Sequence, residues 1–136
     1  MSDCIFCKII NNELPSHKLL ENDFVLGFLD INPATEGHCL VVPKQHNKNF
    51  SELDEVYVKE MSAAGQKIMN KIKSSKIKCE GFNLLLNENE VAGQDVMHAH
   101  LHIIPRIKSD QQKLQFFINE KAQKRLADTC TEINRP

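Results

Sequence analysis

Three histidines alternate along His98-Ala-His-Leu-His102, so half of the chain's six histidines fall within five residues. In an extended chain alternate side chains share a face, which predicts His98, His100 and His102 on one side and Met97, Ala99, Leu101 and Ile103 on the other. Near neutral pH an imidazole can ligate a transition metal, attack phosphorus as a nucleophile or shuttle protons, and the spacing alone leaves these three open. A single histidine is ordinarily a plain surface or core residue; three on one face, backed by an apolar face that can anchor them, are better explained by a site. A second cluster is Cys4-Ile-Phe-Cys7, two thiols at zinc-ligand spacing, with a redox pair or two unliganded thiols as the alternatives.

Imidazoles in a cleft need a rigid frame. Val96 to Ile104 reads as a strand closed by Pro105, and Cys39-Leu-Val-Val-Pro43 as a short strand that must stop near its proline, which cannot donate to a ladder. Leu20 to Asp30 is predicted to be a strand with Phe24, Leu26 and Phe28 on one face, broken by Asn32-Pro33, and Phe82 to Asn87 is another. Residues 4–11 suggest a short helix. Leu53, Val56, Met61, Ala64, Ile68 and Ile72 recur at helical intervals, with Ser51 and Asp54 placed as an N-terminal cap. Leu114, Phe117, Ile118, Ala122, Leu126 and Cys130 predict an amphipathic C-terminal helix whose apolar face needs a partner surface.

The 136 residues leave room for one domain, 1–136, in which 110–136 form a C-terminal helical extension. With 41% hydrophobic and 26% charged residues the composition is that of a globular protein. A formal net charge of -1 supplies no basic excess for a nucleic-acid polymer, so a bound phosphate must be held locally. No apolar run approaches the roughly 20 residues of a membrane span. The N-terminus lacks the apolar core of a signal peptide, and five cysteines are an odd number, which together predict a cytoplasmic protein, with the nucleus also open, carrying reduced thiols or a metal site.

His98-Ala-His-Leu-His-Ile-Ile104 resembles the H-φ-H-φ-H-φ-φ signature of the histidine-triad (HIT) family of nucleotide hydrolases and transferases. The resemblance extends through Asp3-Cys-Ile-Phe-Cys-Lys-Ile-Ile10, Phe28-Leu-Asp-Ile-Asn-Pro33, Gly37-His-Cys-Leu-Val-Val-Pro-Lys44 and Ala92-Gly-Gln94, in order over roughly residues 3–108. It implies an α+β fold, a meandering antiparallel sheet of about five strands with a long helix, the sheet continuing across a homodimer. It implies a nucleotidyl-histidine mechanism in which His100 is the nucleophile and His38 and His102 flank the phosphate, with no catalytic metal required. By position, Ile5, Phe6, Ile9, Phe28 and Ile31 form a purine slot, Asp30 accepts from ribose hydroxyls, and Asn87 and Gln94 are amides of the phosphate site. Relatives also imply a structural zinc on Cys4, Cys7, His46 and His98, which makes His98 structural.

The closest functional resemblance is to the purine nucleotide phosphoramidases, which release AMP or GMP from P–N linked derivatives. A diadenosine polyphosphate hydrolase is the alternative, since Ile104-Pro-Arg106 also resembles that branch, and a nucleotide-binding scaffold with weak catalysis is a third reading. The third draws on Asp95, which stands where many relatives have Ser or Thr directed at the phosphate. A carboxylate there repels phosphate, or receives a cationic leaving group.

Overall fold

A computed structural model describes residues 3–136; the first two residues of the expected domain lie outside the described residues. A short helix α1 (Ile5–Ile10) leads into strands β1 (Lys18–Glu21), β2 (Val25–Leu29) and β3 (Cys39–Pro43). The long helix α2 (Glu55–Lys73) is followed by strands β4 (Gly81–Leu86) and β5 (Leu101–Arg106) and two short helices, α3 (Glu120–Gln123) and α4 (Leu126–Ile133). The five strands form one antiparallel sheet in the order β1-β2-β3-β5-β4. The fold is α+β. The meander runs through β1, β2 and β3, then β5 inserts beside β3 and leaves β4 at the edge.

β2 and β3 are buried on both faces because the sheet is covered twice. Val25, Cys39, Val41 and Ile103 pack with Met61, Ala64, Ile68 and Ile72 of α2, while Leu26, Phe28, Leu40 and Val42 point the other way against Phe6 and Ile9 of α1. The alternation of these short apolar runs thus feeds two half-cores. Gly27 permits the closest approach of α2, since a Cβ there would stand 2.5 Å from Ile68 Cδ1.

Several expectations are corrected. The run from Leu20 to Asp30 is two strands joined through a turn that Asn22 holds by accepting from the Phe24 and Val25 amides, and Phe24 packs on Tyr57 in the α2 half-core, opposite Leu26 and Phe28. β5 begins only at Leu101, because its partners end at Val41 and Leu86; upstream the chain bonds elsewhere, with the Ala99 amide on the Asn47 carbonyl. Pro105 lies inside β5, tolerated because the β3 ladder has already ended at Ile103. Asp54 occupies the N-cap of α2 without a side-chain cap bond, Ser51 bonds Glu88 instead, and Val56 is exposed. The tail is not one amphipathic helix: regular structure resumes only at α3 and α4, and Leu114, Phe116, Phe117 and Ile118 are exposed. An apolar stripe stabilises a helix by burial, and a single chain offers this one no surface.

Candidate active site

On the α1 side of the sheet lies a cavity of about 420 Å³. Ile5, Phe6 and Ile9 of α1, Phe28 of β2, and Ile31 line it together with Asp30, Asp95, His100 and His102. Apolar walls meeting a few convergent polar groups are the usual build of a small-molecule site. α1 presents Phe6 and Ile9 inward, and the Phe6 ring stands edge-on to Phe28 at 5.8 Å and to His100 at 5.1 Å.

His100 is buried, and its Nδ1 donates to the His98 carbonyl at 2.7 Å. In the neutral ring this leaves the lone pair on Nε2, which lies 3.4 Å from Asp95 Oδ1. His102 sits on β5 in register with Leu40, and its ring meets that of His100 at 4.9 Å. His102 Nδ1 is 3.0 Å from His38 Nε2, and His38 Nδ1 accepts the Ala34 amide at 2.9 Å. A backbone amide can only donate, so neutral His38 carries its proton on Nε2, gives that hydrogen bond to His102 Nδ1, and leaves the His102 proton on Nε2. Asp30 Oδ2 stands 3.5 Å from His38 Nε2, and Asp30 Oδ1 accepts from the Asn32 amide. A lone-pair nitrogen and an N–H nitrogen therefore sit side by side, one able to attack and the other to protonate.

Burial pushes His102 down from 6.5 to about 4, helped by the neighbouring His100 and His38, and burial also lowers His38 against the pull of Asp30. Between about pH 4 and 6.5 the unfolded chain therefore binds protons that the folded chain refuses. This contribution to stability is complete above pH 6.5 and is lost as pH falls toward 4. Urea unfolding at pH 7 and pH 4.5 should show the loss, and His102→Asn should shrink the difference between the two pH values; an equal difference in the variant would exclude His102 as its source.

His98 faces away from this cavity. Cys4, Cys7, His46 and His98 bring one ligand atom each within 4.8 Å of one another. His46 Nδ1 and His98 Nδ1 are 3.2 Å apart, and the sulfur-to-nitrogen distances are 3.4 Å for Cys4–His98, 3.3 Å for Cys7–His46 and 3.6 Å for Cys7–His98. Edges of a tetrahedral zinc site with ordinary bond lengths are roughly 3.3 Å between nitrogens and 3.5 Å between nitrogen and sulfur, so the set fits that ion. His98 Nε2 donates to the Pro43 carbonyl at 2.8 Å, which leaves Nδ1 as the ligating atom. Without a cation the Cys7 thiol is pushed up to about 11 by burial and by Cys4.

The cavity thus gathers Ile5, Phe6, Ile9, Phe28, Asp30, Ile31, Asp95, His100 and His102, with His38 directly behind His102. It does not gather the two amides. Gln94 is buried with its Nε2 donating to the Lys48 and Val96 carbonyls and its Oε1 accepting from Asn89, so it braces the loop before His98. Asn87 lies just beyond β4 against Gly93, off the cavity wall. Leu14, Pro15 and Ser16 also line the wall and carry no periodic signal in the sequence. Ala34 acts through its backbone, which no side-chain pattern could reveal.

The HIT domain family matches residues 11–109. An uncharacterized HIT-like protein of Borreliella burgdorferi is 48% identical over 81% of this chain and 80% of its own length. An adenylylsulfatase of Arabidopsis thaliana is 43% identical over 80% of this chain and 55% of its own, and an adenosine 5'-monophosphoramidase of Saccharomyces cerevisiae is 36% identical over 76% and 62%. Among solved structures, a HIT family protein from Bacillus subtilis superposes with a TM-score of 0.86 at 34% identity, covering 98% of this chain and 99% of that one. A zinc-bound histidine triad protein of Mycobacterium smegmatis gives a TM-score of 0.78 at 31% identity, covering 98% and 96%.

Proposed function

The chain belongs to the HIT domain family, and on that premise we propose that it is a purine nucleotide phosphoramidase, releasing AMP or GMP through a covalent nucleotidyl-histidine intermediate. The observation that carries this reading is the pinned His100: its Nδ1 is held by the His98 carbonyl, so the Nε2 lone pair faces a cavity whose apolar end suits a flat base. In the first step His100 Nε2 bonds to the α-phosphorus, the P–N bond of the substrate breaks, and the departing amine takes the proton of His102 Nε2, whose ring is left anionic beside the positive charge that the phosphorylated His100 ring, still protonated on Nδ1, acquires. In the second, water bonds to phosphorus, the Nε2–P bond breaks, and the water proton returns to His102. Asp30 has carboxylate lone pairs at the slot for ribose hydroxyls. The Saccharomyces relative's name, an adenosine monophosphoramidase, supports the same bond type.

The runner-up is hydrolysis of a phosphoanhydride in a dinucleoside polyphosphate. Its sequence support, Ile104-Pro-Arg106, is weakened because Arg106 is engaged in a fork with Asp110 and a bond to Asn83, away from the cavity. Rates on an adenosine phosphoramidate and on diadenosine polyphosphate, measured side by side, should favour the phosphoramidate; the opposite order would replace the proposal.

Asp95 bears on how fast the enzyme is. Its side chain is 74% exposed, so its repulsion of an arriving phosphate is screened to about 1 kcal/mol at 4 Å. Asp95→Ser should accordingly raise kcat/KM on an uncharged-amine phosphoramidate by about fivefold. A clear fall would mean that the carboxylate helps, as it would by receiving a cationic leaving group, and a nucleotide scaffold with little turnover would show no nucleotidyl-protein burst in either form.

Cys4, Cys7, His46 and His98 would hold one zinc. The ion would close a four-ligand structural site that ties α1 to the loop after β3, without an open position for water. We also assign a homodimer that covers the exposed Leu114–Ile118 stretch and the free edge of β4, with a reducing compartment, cytoplasmic and also nuclear, keeping the thiols available. Among the described residues no helix is long and apolar enough to cross a membrane.

A further inference from the structure

The proton pattern of the His38–His102 pair depends on one backbone group, and that group is gripped by the start of the C-terminal segment. Ala34 donates its amide to His38 Nδ1 at 2.9 Å, while its carbonyl accepts from Gln112 Nε2 at 3.0 Å. The next residue is tied as well, Thr35 Oγ1 donating to the Pro105 carbonyl at 2.7 Å. Gln112 is itself held on both sides: its amide donates to Asp110 Oδ1 at 2.9 Å and its carbonyl accepts from Arg106 at 2.8 Å. Arg106 in turn forks onto Asp110 and reaches Asn83. The bend that delivers Gln112 passes through Gln111 at φ 63°, a left-handed conformation that costs a residue with a Cβ and persists only where surrounding bonds hold it.

We propose that the Ala34 peptide is a positioning group for catalysis and that Gln112 is the positioning residue that holds it, so that the C-terminal segment fixes which nitrogen of His102 carries the proton. This rests on the reading of His102 as the proton donor to the leaving group. Were the Ala34 amide to swing away, His38 could carry its proton on Nδ1, Nε2 would become an acceptor, and His102 would turn its own proton inward on Nδ1. The His102 nitrogen facing the substrate would then be a bare lone pair, unable to protonate a departing amine. That pattern would also complete a two-histidine, one-carboxylate set with His100 and Asp95, whose ligand atoms already lie within 4.8 Å of one another. The Ala34 amide thus keeps the cavity a proton-transfer site and keeps it from being a metal site.

The test combines imidazole ¹⁵N NMR of the full-length ligand-free protein with steady-state kinetics on an adenosine phosphoramidate. In the wild type, His38 and His102 should both show protonated Nε2 and unprotonated Nδ1. Gln112→Ala should lower kcat about three- to tenfold with KM within about twofold, the size of one lost hydrogen bond acting at a distance, and the His102 signals should move toward a tautomer average. Gln112→Glu, which sets a carboxylate oxygen against the Ala34 carbonyl, should go further in the same direction. Ala34→Pro deletes the amide and should shift the tautomer most; if it does not fold, the Gln112 pair decides. A wild-type His102 protonated on Nδ1, or Gln112 variants with unchanged tautomer and kcat, would overturn the proposal. Tautomers that respond as described in a protein without phosphoramidase activity would leave it standing and remove the functional reading alone.

Discussion

His100→Asn should fold normally and lose turnover by on the order of 10⁴-fold or more. The loss follows from the nucleophile itself: once Nε2 is gone no covalent nucleotidyl intermediate can form, and no neighbouring group has a free lone pair aimed at the same place. His102 Nε2 carries a proton, and Asp95 is an exposed anion that repels phosphate. Folding survives for a reason specific to this site. His100 is buried and its Nδ1 satisfies the His98 carbonyl, so truncation to alanine would orphan that carbonyl at a cost of about 1–3 kcal/mol, whereas the asparagine amide can still donate to it. His102→Asn and His38→Asn remove proton donation and its support, and should cost about 10²–10⁴. Far-UV circular dichroism with kcat on a phosphoramidate checks all three, and mass spectrometry of quenched wild type should trap the nucleotide on His100. Retained kcat in His100→Asn would end the mechanism; equal losses at all three positions would leave the nucleophile unassigned.

The Cys4→Ser, Cys7→Ser double variant should lose the metal, melt well below the wild type, and bind nucleotide more weakly while its remaining chemistry is little slowed. Protein purified without chelator should carry close to one zinc per chain. In a domain of this size each kcal/mol moves Tm by about 4 °C, so loss of a few kcal/mol of metal-linked stability should lower Tm by about 10 °C or more. The kinetic signature comes from Phe6, which stands between the two centres: its ring meets His98 at 5.9 Å on the metal side and His100 at 5.1 Å on the cavity side. Cys4 caps α1 and Cys7 lies one residue past Phe6, so freeing the thiols loosens the cavity wall that Phe6 forms and KM should rise more than kcat falls. Because the thiol of Cys7 must lose its proton to bind, and burial beside Cys4 holds it at about 11, zinc affinity should increase as pH rises. Metal-free wild type with unchanged Tm and KM would defeat the zinc site and leave the His100 mechanism intact.

The unbroken apolar run Cys39–Pro43 was enough to place β3, because a strand covered on both faces reads that way, whereas alternation from Leu20 to Asp30 ran β1 and β2 together across the turn that Asn22 holds. The helical spacing of Met61, Ala64, Ile68 and Ile72 likewise located α2 and its buried stripe. The tail departs from its own periodicity for a related reason: Leu114, Phe117 and Ile118 have helical spacing, but periodicity predicts a helix only where something buries the stripe.

The sequence held the ingredients: the alternating histidines, the cysteine pair, the apolar strand runs, the helical stripe of α2 and, through the resemblance, the apolar residues that line the cavity. Alternation assigns a face but not a neighbour, so the spacing keeps the three histidines together, the resemblance sets His98 apart, and the tertiary structure supplies the reason. His98 precedes the strand, is capped by the Pro43 carbonyl and turns to the cysteines, while His100 and His102 face the cavity. Tertiary structure also decided the fate of the amides, since whether Gln94 meets a ligand or three backbone groups depends on loops distant in the chain. Above all it decided the protons, for a histidine tautomer is set by whatever faces its other nitrogen, here an amide at Ala34 and a carbonyl at His98 that no side-chain pattern encodes.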